Sequence, residues 1–296
     1  MMVGAMVDGR GQAATAEHVG DTAQNDEAVE AHLARHRQGG HRRVLHVRIG
    51  GVPVARLSRT GLIDRMLQDA PTVRRAGAPP WLVFDANGHA LSMAATDPSF
   101  REALEQADIV HADGGVIVAA SRLIGGGHTI PDRSATTDVY IDSLLACAAR
   151  GLRIYLLGGE PGVAEACARR SLELAPGLKI VGVRDGYFSG AEEASVVAEI
   201  NAAQADVVWV GLGKPKEQAF CLRRREELNC GWLVTCGGLF NYLTGDYPRA
   251  PRWMQRTGLE WAHRLATNPR HLLWRYLTTN PHALWLIATR TERARS

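Results

Sequence analysis

Short apolar runs alternate with longer segments of helical spacing through most of the chain, and this alternation constrains the fold more than any other feature. Runs at residues 152–157, 207–210 and 232–235 are each followed closely by glycine. The segments between them repeat apolar side chains every three or four positions, as amphipathic helices do. The alternation predicts an α/β protein with a Rossmann-like, mainly parallel sheet flanked by helices.

The same pattern predicts further strands and the helices that connect them. Additional strands are expected at residues 44–49, 81–84, 109–110 and 179–183, all in the same buried sheet. Helices are expected at residues 97–107, 138–149, 161–174, 194–203 and 217–228. In an open α/β sheet the ligand site lies outside the carboxyl ends of the strands. The residues that follow each strand are therefore the candidates for function.

Composition divides the chain into three parts. Residues 1–42 lack an apolar run, which predicts a disordered leader. Residues 43–250 carry the alternation and form the predicted core. Residues 251–296 are helical in pattern and rich in Arg and Trp, so we expect a C-terminal appendage that associates with a membrane. Its apolar stretches are far shorter than the roughly 20 residues that cross a bilayer.

Positive charge is concentrated near the C-terminus. Residues 249–296 hold nine Arg and no Lys against two Glu, together with four of the seven Trp. Such a segment suits an anionic membrane surface, and the absence of a nucleic-acid motif argues against a nucleic-acid partner. Five Cys without a CxxC pair argue against disulfides and a zinc site. We therefore expect a cytoplasmic protein, peripheral on the inner face of the cytoplasmic membrane.

Two acidic residues follow predicted strands. Asp113 precedes Gly114, so its carboxylate can point into the crevice as a general base, with a turn or helix cap as the alternative. Asp85 follows another strand beside Asn87, with a local turn as the alternative. If the two carboxylates share the crevice, their repulsion is expected to raise the pKa of one of them. His89 enters a helical run and is interpreted as structural.

Glycine-rich turns follow other strands. Gly158, Gly159 and Glu160 could bind a phosphate, although a tight strand-to-helix turn is the plainer interpretation. Tyr187 could stack on a nucleobase or belong to the core. Further turn residues expected to approach phosphate, ribose or base are Gly211, Gly213, Pro215, Glu217, Gln218 and Gly238. The chain has no GxGxxG and no Walker lysine motif, which weakens dinucleotide and nucleoside-triphosphate interpretations.

These segments together resemble the WecG/TagA/CpsF glycosyltransferase family, also called glycosyltransferase family 26, from about residue 43 to residue 276. No single segment would suffice, but their order and spacing are specific in combination. The resemblance rests on Asn87-Gly88-His89, Ala112-Asp113-Gly114, Tyr155-Leu156-Leu157-Gly158-Gly159, Gly186-Tyr187-Phe188, Val210-Gly211-Leu212-Gly213, Arg249-Ala250-Pro251 and Leu259-Glu260-Trp261 with Arg264-Leu265.

The resemblance implies an inverting transferase that moves a hexose, N-acetylhexosamine or uronic acid from a UDP-sugar to a polyprenyl-diphosphate-linked saccharide, for exopolysaccharide, capsule or other cell-surface glycan. It implies that Asp113 is the base, that Tyr187 lies near the uracil and that Arg264 reaches the donor diphosphate. No metal or other cofactor is then needed.

This chain departs from the common family pattern at several positions. Asp85 stands where many relatives carry Thr, Asn241 stands where they carry Asp, and Glu217-Gln218 reverses the usual order. We count Asp85 and Arg264 with Asp113 as catalytic candidates. Asn87, Gly114 and Asn241 are counted with the substrate-binding ones. These departures leave the donor sugar open.

Two other functions remain compatible with the sequence. A non-catalytic nucleotide-sugar-binding subunit of a membrane polysaccharide-synthesis complex would keep the fold, but Asp113 and Arg264 count against it. A dinucleotide-dependent oxidoreductase or epimerase would need the glycine fingerprint that the chain lacks. The sequence does not determine the oligomeric state, so a homo-oligomer stays open.

Overall fold

The computed structural model describes residues 44–124, 126–251, 253–254 and 260–292, and the predicted leader at residues 1–42 lies outside them. The strands, in chain order, are β1 (His46–Ile49), β2 (Val52–Ala55), β3 (Trp81–Ala86), β4 (Ile109–Ala112), β5 (Arg153–Gly158), β6 (Lys179–Arg184), β7 (Val207–Gly211) and β8 (Trp232–Thr235). The helices are α1 (Arg59–Arg75), α2 (Gly88–Thr96), α3 (Pro98–Gln106), α4 (Gly115–Leu123), α5 (Thr136–Arg150), α6 (Val163–Leu174), α7 (Glu193–Ala203), α8 (Lys216–Arg224), α9 (Leu239–Thr244), α10 (Glu260–Thr267) and α11 (Pro269–Arg290).

Strands β3 to β8 form one parallel sheet in the order β4-β3-β8-β7-β5-β6. This confirms the predicted Rossmann-like α/β fold with helices flanking a parallel sheet. From β3 the chain moves outward to the edge strand β4, and from β5 it moves outward to the opposite edge strand β6. β7 and β8 then fill the centre. A ligand crevice is expected where connections diverge in this way, outside the carboxyl ends of the central strands.

Alternate residues of the central strands enter two hydrophobic layers, one on each face of the sheet. Leu82 and Phe84 of β3 lie in one layer, and Val83 between them lies in the other. All three side chains are fully buried, because packed side chains cover both faces. Burial on both faces explains why these strands read as continuous apolar runs in the sequence.

Residues 44–49 are an exception to the predicted sheet. Strand β1 pairs with β2 in an antiparallel hairpin that is separate from the main sheet, so the assignment of this run to the parallel sheet is wrong. Gly50 and Gly51 connect the two strands with φ angles of 59° and 88°, as a tight hairpin turn requires. An apolar run indicates burial but does not identify the strand with which it pairs.

In the described part of the chain, three helices lie where the sequence pattern predicts none, namely α1, α4 and α9. Helix α2 confirms the helical run that His89 was expected to enter, and it buries Ala90, Leu91, Ser92 and Ala94. The helix predicted at residues 161–174 begins at Val163.

The C-terminal helix α11 packs along α2 and against the hairpin. Its Ala283, Leu286 and Ile287 are buried in the same hydrophobic layer as Leu82. At its end, the N–H of Gly51 donates to the carbonyl of Arg290 at 2.8 Å. The boundary between core and appendage at residue 250 stays a prediction. The second half of α11 nevertheless completes a layer that the core strands also enter.

A row of apolar side chains on α11 faces the solvent. These exposed residues are Leu273, Trp274, Leu277, Leu284 and Trp285. Their spacing places them along one side of the helix, and we call them the apolar stripe. Among the described residues, no helix is both long enough and apolar enough to cross a membrane.

Candidate active site

Asp113 stands at the carboxyl end of β4, beside strand β3. Its backbone N–H donates to the carbonyl of Ala86, the last residue of β3, at 2.9 Å. Its Oδ1 accepts the backbone N–H of Thr136, the first residue of α5, at 3.0 Å. The partial positive charge of a helix N-terminus favours an anion at this position. Asp113 therefore also caps a helix, as the alternative interpretation expected. The capped helix is α5, which follows α4 and a loop in the chain.

Asn87 joins the two acidic residues. Its Nδ2 donates to Oδ2 of Asp113 at 3.2 Å and to Oδ2 of Asp85 at 3.3 Å, and an amide carries one hydrogen for each. Its Oδ1 accepts the N–H of Ala90 at 3.1 Å, which fixes the side chain at the start of α2. Gly114 packs against it, because a Cβ at position 114 would stand 3.1 Å from Cα of Asn87. Asp85 and Asp113 thus lie together at the carboxyl ends of β3 and β4.

Asp85 forms an ion pair with a buried lysine. Nζ of Lys214 lies 2.6 Å from both carboxylate oxygens, and only 3% of Asp85 is exposed. Lys214 follows β7, so the ion pair links the ends of two strands. A proton offered to Asp85 would have to compete with this ammonium group. Asp113 is therefore the carboxylate better placed to accept a proton.

The charge environment of Asp113 differs from the predicted one. Burial favours the neutral acid, but the guanidinium groups of Arg133 and Arg264 outweigh it and hold the pKa of Asp113 below its ordinary value. The expected rise through repulsion between two carboxylates is therefore wrong for Asp113. The physical reason is that Lys214 neutralises Asp85 while two arginines face Asp113.

A hydrogen bond and two ion pairs connect Asp113 to helix α10. Arg133 donates from Nε to the carbonyl of Asp113 at 2.6 Å, and from Nη2 to Oε2 of Glu260 at 2.8 Å. Glu260 is buried, and its Oε1 accepts Nη2 of Arg264 at 2.9 Å. The guanidinium of Arg264 also stands 4.8 Å from the ring centroid of Tyr242. Helix α10 thus brings the charge of Arg264 to Asp113.

Glycines end strands β5 and β7 further along the same edge. Gly158 pairs with Gly211 in register. A Cβ at position 158 would lie 2.3 Å from the Gly211 carbonyl oxygen, and the φ of 134° also disfavours any other residue. The N–H of Gly159 donates to that same oxygen at 3.1 Å. The turn is thus a close contact between two backbones, and phosphate binding by it stays a prediction.

Glu217 and Gln218 lie beneath the crevice, and neither residue has exposed surface. Oε2 of Glu217 accepts two backbone N–H groups at 3.0 Å, one from Gly213 after β7 and one from Gly237 after β8. Burial raises the pKa of Glu217 to about 7, although Lys214 opposes the shift. Because a side chain without exposed surface cannot touch a substrate, the predicted substrate contacts of both residues are corrected. Glu217 instead holds two crevice loops together.

The remaining predicted positions lie near the surface. Tyr187 is 71% exposed, which excludes the core position considered for it. Glu160, Pro215 and Gly238 are exposed as well. Asn241 is half-buried on α9. These residues are accessible to a ligand, and their predicted contacts with one remain predictions.

The contacts of three residues of this region were missed from the sequence. Arg133 lies in an irregular stretch before α5. Lys214 belongs to the turn after β7 whose lysines could bind phosphate, and its pairing with Asp85 was not expected. His111 lies in β4 opposite Asp85, where its Nδ1 is 2.8 Å from the carbonyl oxygen of Ser134. A histidine that interrupts an apolar run was the one available signal. Arg133 carried none, because its partners are set by tertiary packing.

Charged side chains surround the crevice. Within the part of the chain that the structure describes, no group of three or more His, Cys, Asp or Glu residues could hold a metal ion. Fold and site together are those of an α/β enzyme whose crevice suits an anionic substrate. The chain belongs to the glycosyl transferase WecG/TagA/CpsF family, which it matches over residues 47–296. This confirms the resemblance found in the sequence and makes the chain a transferase of the glycosyl type.

A relative from Bacillus spizizenii is described as an N-acetylglucosaminyldiphosphoundecaprenol N-acetyl-beta-D-mannosaminyltransferase. It is 31% identical to this chain over 188 residues, which make up 64% of the chain and 71% of the relative. The name of that relative specifies a lipid-linked acceptor and a transferred amino sugar.

Proposed function

We propose that this chain is an inverting glycosyltransferase that moves a sugar from a UDP-sugar to a polyprenyl-diphosphate-linked saccharide. The observation that carries the proposal is the carboxylate of Asp113, held as an anion at the crevice with Arg264 nearby. The name of the relative supports the acceptor class, since it contains a sugar joined through diphosphate to undecaprenol. The donor sugar is left open among hexoses, N-acetylhexosamines and uronic acids. The product would serve exopolysaccharide, capsule or another cell-surface glycan.

In the proposed reaction, the carboxylate of Asp113 accepts the proton of an acceptor hydroxyl while the hydroxyl oxygen attacks the anomeric carbon. The new C–O bond forms as the bond to the β-phosphate oxygen breaks, and the electron pair leaves with UDP. A single displacement inverts the anomeric centre. Arg264 stabilises the charge that develops on the departing diphosphate, so the proposal needs no metal ion or other cofactor. Tyr187 is accessible for stacking on the uracil.

Donor binding should change the basicity of Asp113. In the free protein the charge of Arg264 helps to lower the pKa of Asp113. A diphosphate bound to Arg264 would neutralise part of that charge, so the pKa of Asp113 would rise in the loaded enzyme. A carboxylate with a higher pKa is a stronger base. The base would therefore reach its full strength only when the donor is in place.

The proposal is tested by measuring UDP release from UDP-Glc, UDP-GlcNAc, UDP-ManNAc and UDP-uronic acids, with a polyprenyl-diphosphate-linked sugar as acceptor. We expect release with at least one donor, and only when donor and acceptor are both present. UDP binding without release from any donor would instead favour a non-catalytic binding subunit. Binding of NAD(H) would favour an oxidoreductase.

The proposal includes peripheral binding to the cytoplasmic face of a membrane, where a lipid-linked acceptor is held. The apolar stripe supports it, because Trp274 is 76% exposed and Leu277 is 61% exposed on the same side of α11. Aromatic and cationic residues suit the headgroup region of an anionic bilayer. The Arg residues near the C-terminus supply the cationic part.

Replacing Trp274 and Leu277 together by glutamine is expected to weaken binding to vesicles with anionic lipid by about tenfold or more, because two large apolar side chains no longer leave water. Cosedimentation with the vesicles measures the change. The matched control is Leu145→Gln, which removes an equally exposed leucine (65%) from α5. Equal vesicle binding by the double variant and the wild type would contradict the assignment of the stripe to the membrane.

A further inference from the structure

Arg275 carries a buried donor without an acceptor. The residue is half-buried on α11, and its Nε has no hydrogen-bond partner among the described residues. The guanidinium lies 5.3 Å from the ring centroid of Tyr276, which offers a π face but no hydrogen-bond acceptor for Nε. Leaving a donor of a charged group buried and unpaired is unfavourable. An anionic ligand would satisfy it.

The packing of α11 directs Arg275 towards the start of α2. Positions 275, 279, 282 and 286 recur at helical spacing and share one face of α11. On that face, Nδ1 of His282 is 2.9 Å from Oγ of Ser92, and Leu286 is fully buried. A Cβ on Gly88, the first residue of α2, would lie 3.5 Å from Cβ of Ala283 and 4.0 Å from Oδ1 of Asn280. Arg275 precedes Asn280 in α11, so it lies near the start of α2.

His89 is the residue of α2 that the charge of Arg275 reaches. Burial first, and then the charges of Arg275 and Lys214, lower the pKa of His89 to about 4. The imidazole is therefore neutral at physiological pH and can donate one hydrogen bond without adding a charge. His89 stands in the first turn of α2, two residues after Asn87, which donates hydrogen bonds to both Asp85 and Asp113.

Arg275 follows the apolar stripe residue Trp274 directly in the chain, but it lies on the face of α11 that packs against α2. Trp274 precedes it in the chain, Leu277 follows after one residue, and both are exposed. The proposed reaction involves two diphosphates, one in the nucleotide donor and one in the lipid-linked acceptor. The acceptor diphosphate joins the lipid to the sugar, so it must sit between the membrane and the reacting hydroxyl. We assign Arg275 to that place because the same turn of α11 carries the exposed Trp274 on one face and Arg275 on the face towards α2. The charge of Arg264 instead acts on Asp113.

We propose that Arg275, assisted by His89, binds the diphosphate of the lipid-linked acceptor. This inference rests on the proposed function and extends it, because it separates the acceptor diphosphate from the donor diphosphate. A planar guanidinium suits the oxygens of a phosphate through paired hydrogen bonds.

The test compares Arg275→Gln and Arg275→Lys with the matched control Arg270→Gln, which removes a cation from an exposed position of the same helix. We expect Arg275→Gln to raise the KM for the acceptor about tenfold or more, the scale of a charged hydrogen bond. The KM for the donor and the Kd for UDP should stay unchanged. Arg275→Lys should fall between wild type and Arg275→Gln. Arg270→Gln should match the wild type in its KM for a water-soluble acceptor, for which attraction to the membrane plays no part.

Three outcomes overturn the inference. An unchanged acceptor KM in folded Arg275→Gln denies the contact, and a raised Kd for UDP assigns Arg275 to the donor instead. The third outcome is that Arg275→Gln and Arg270→Gln lose equal binding to anionic vesicles without acceptor and show the same change in acceptor KM. Arg275 would then act only through general attraction to the lipid surface. Thermal unfolding of each variant checks that it folds.

Direct binding of a short-chain, water-soluble polyprenyl-diphosphate sugar separates this inference from the proposed function. If the wild type binds that probe but transfers no sugar, the proposed function fails. Weaker binding of the probe by Arg275→Gln would then still support the diphosphate contact. If the wild type transfers sugar and Arg275→Gln binds the probe equally well, only the inference fails.

Discussion

Replacing Asp113 by asparagine is expected to reduce sugar transfer by about 10² or more, the scale of a lost general base. Asparagine keeps the shape of the side chain and an oxygen that can accept the N–H of Thr136. It cannot take the proton of an acceptor hydroxyl. The Kd for UDP should therefore stay close to the wild-type value while UDP release with acceptor present falls.

The matched control for Asp113→Asn is Asp64→Asn, which makes the same chemical change at an exposed position of α1. Its transfer rate should equal that of the wild type. Near wild-type turnover by Asp113→Asn would exclude Asp113 as the base. Asp85 would then become the candidate, and Lys214 would have to release it before it could accept a proton.

Replacing Lys214 by methionine is expected to lower the free energy of unfolding by about 3–5 kcal/mol, because it leaves a buried carboxylate without its counter-ion. Asp85 and Lys214 are both largely buried, with side chains 5% and 11% exposed. The double variant Asp85→Asn with Lys214→Met removes both charges, so most of the stability should return. Urea unfolding of wild type, single and double variants measures the difference.

The exposed pair Arg170 and Glu173 provides the control for this prediction. Its atoms approach to 2.7 Å, but the side chains are 51% and 63% exposed. Solvent screens such a pair, so Arg170→Met should cost about 0–1 kcal/mol. If Lys214→Met and Arg170→Met lower the free energy of unfolding equally, burial does not increase the contribution of the Asp85–Lys214 ion pair to stability.

The positions of most strands could be predicted, because burial on both faces leaves continuous apolar runs in the sequence. Leu82, Val83 and Phe84 illustrate this, since adjacent residues enter opposite layers. The partner of each strand could not be predicted in the same way. Residues 44–49 are as apolar as a sheet strand, but two glycines turn them back into a hairpin.

The candidate site shows the same limit. Strand ends indicated where Asp85 and Asp113 lie, since the carboxyl ends of parallel strands share one edge. The charges around them come from distant positions: Arg133 is 20 residues from Asp113 and 127 residues from Glu260. No local pattern reports such pairs. The pKa rise expected for one of the two carboxylates therefore does not occur at Asp113, whose pKa is lowered.

The two hydrogen bonds accepted by one oxygen of Glu217 have a consequence for how this crevice can diversify. Displacing either loop would break a bond and disturb the support that the other loop shares. The loops that contain Gly213 and Gly237 therefore cannot change position independently. Adaptation to a different sugar would then occur at exposed positions such as Tyr187 and Glu160. A substitution there leaves the hydrogen bonds of Glu217 intact.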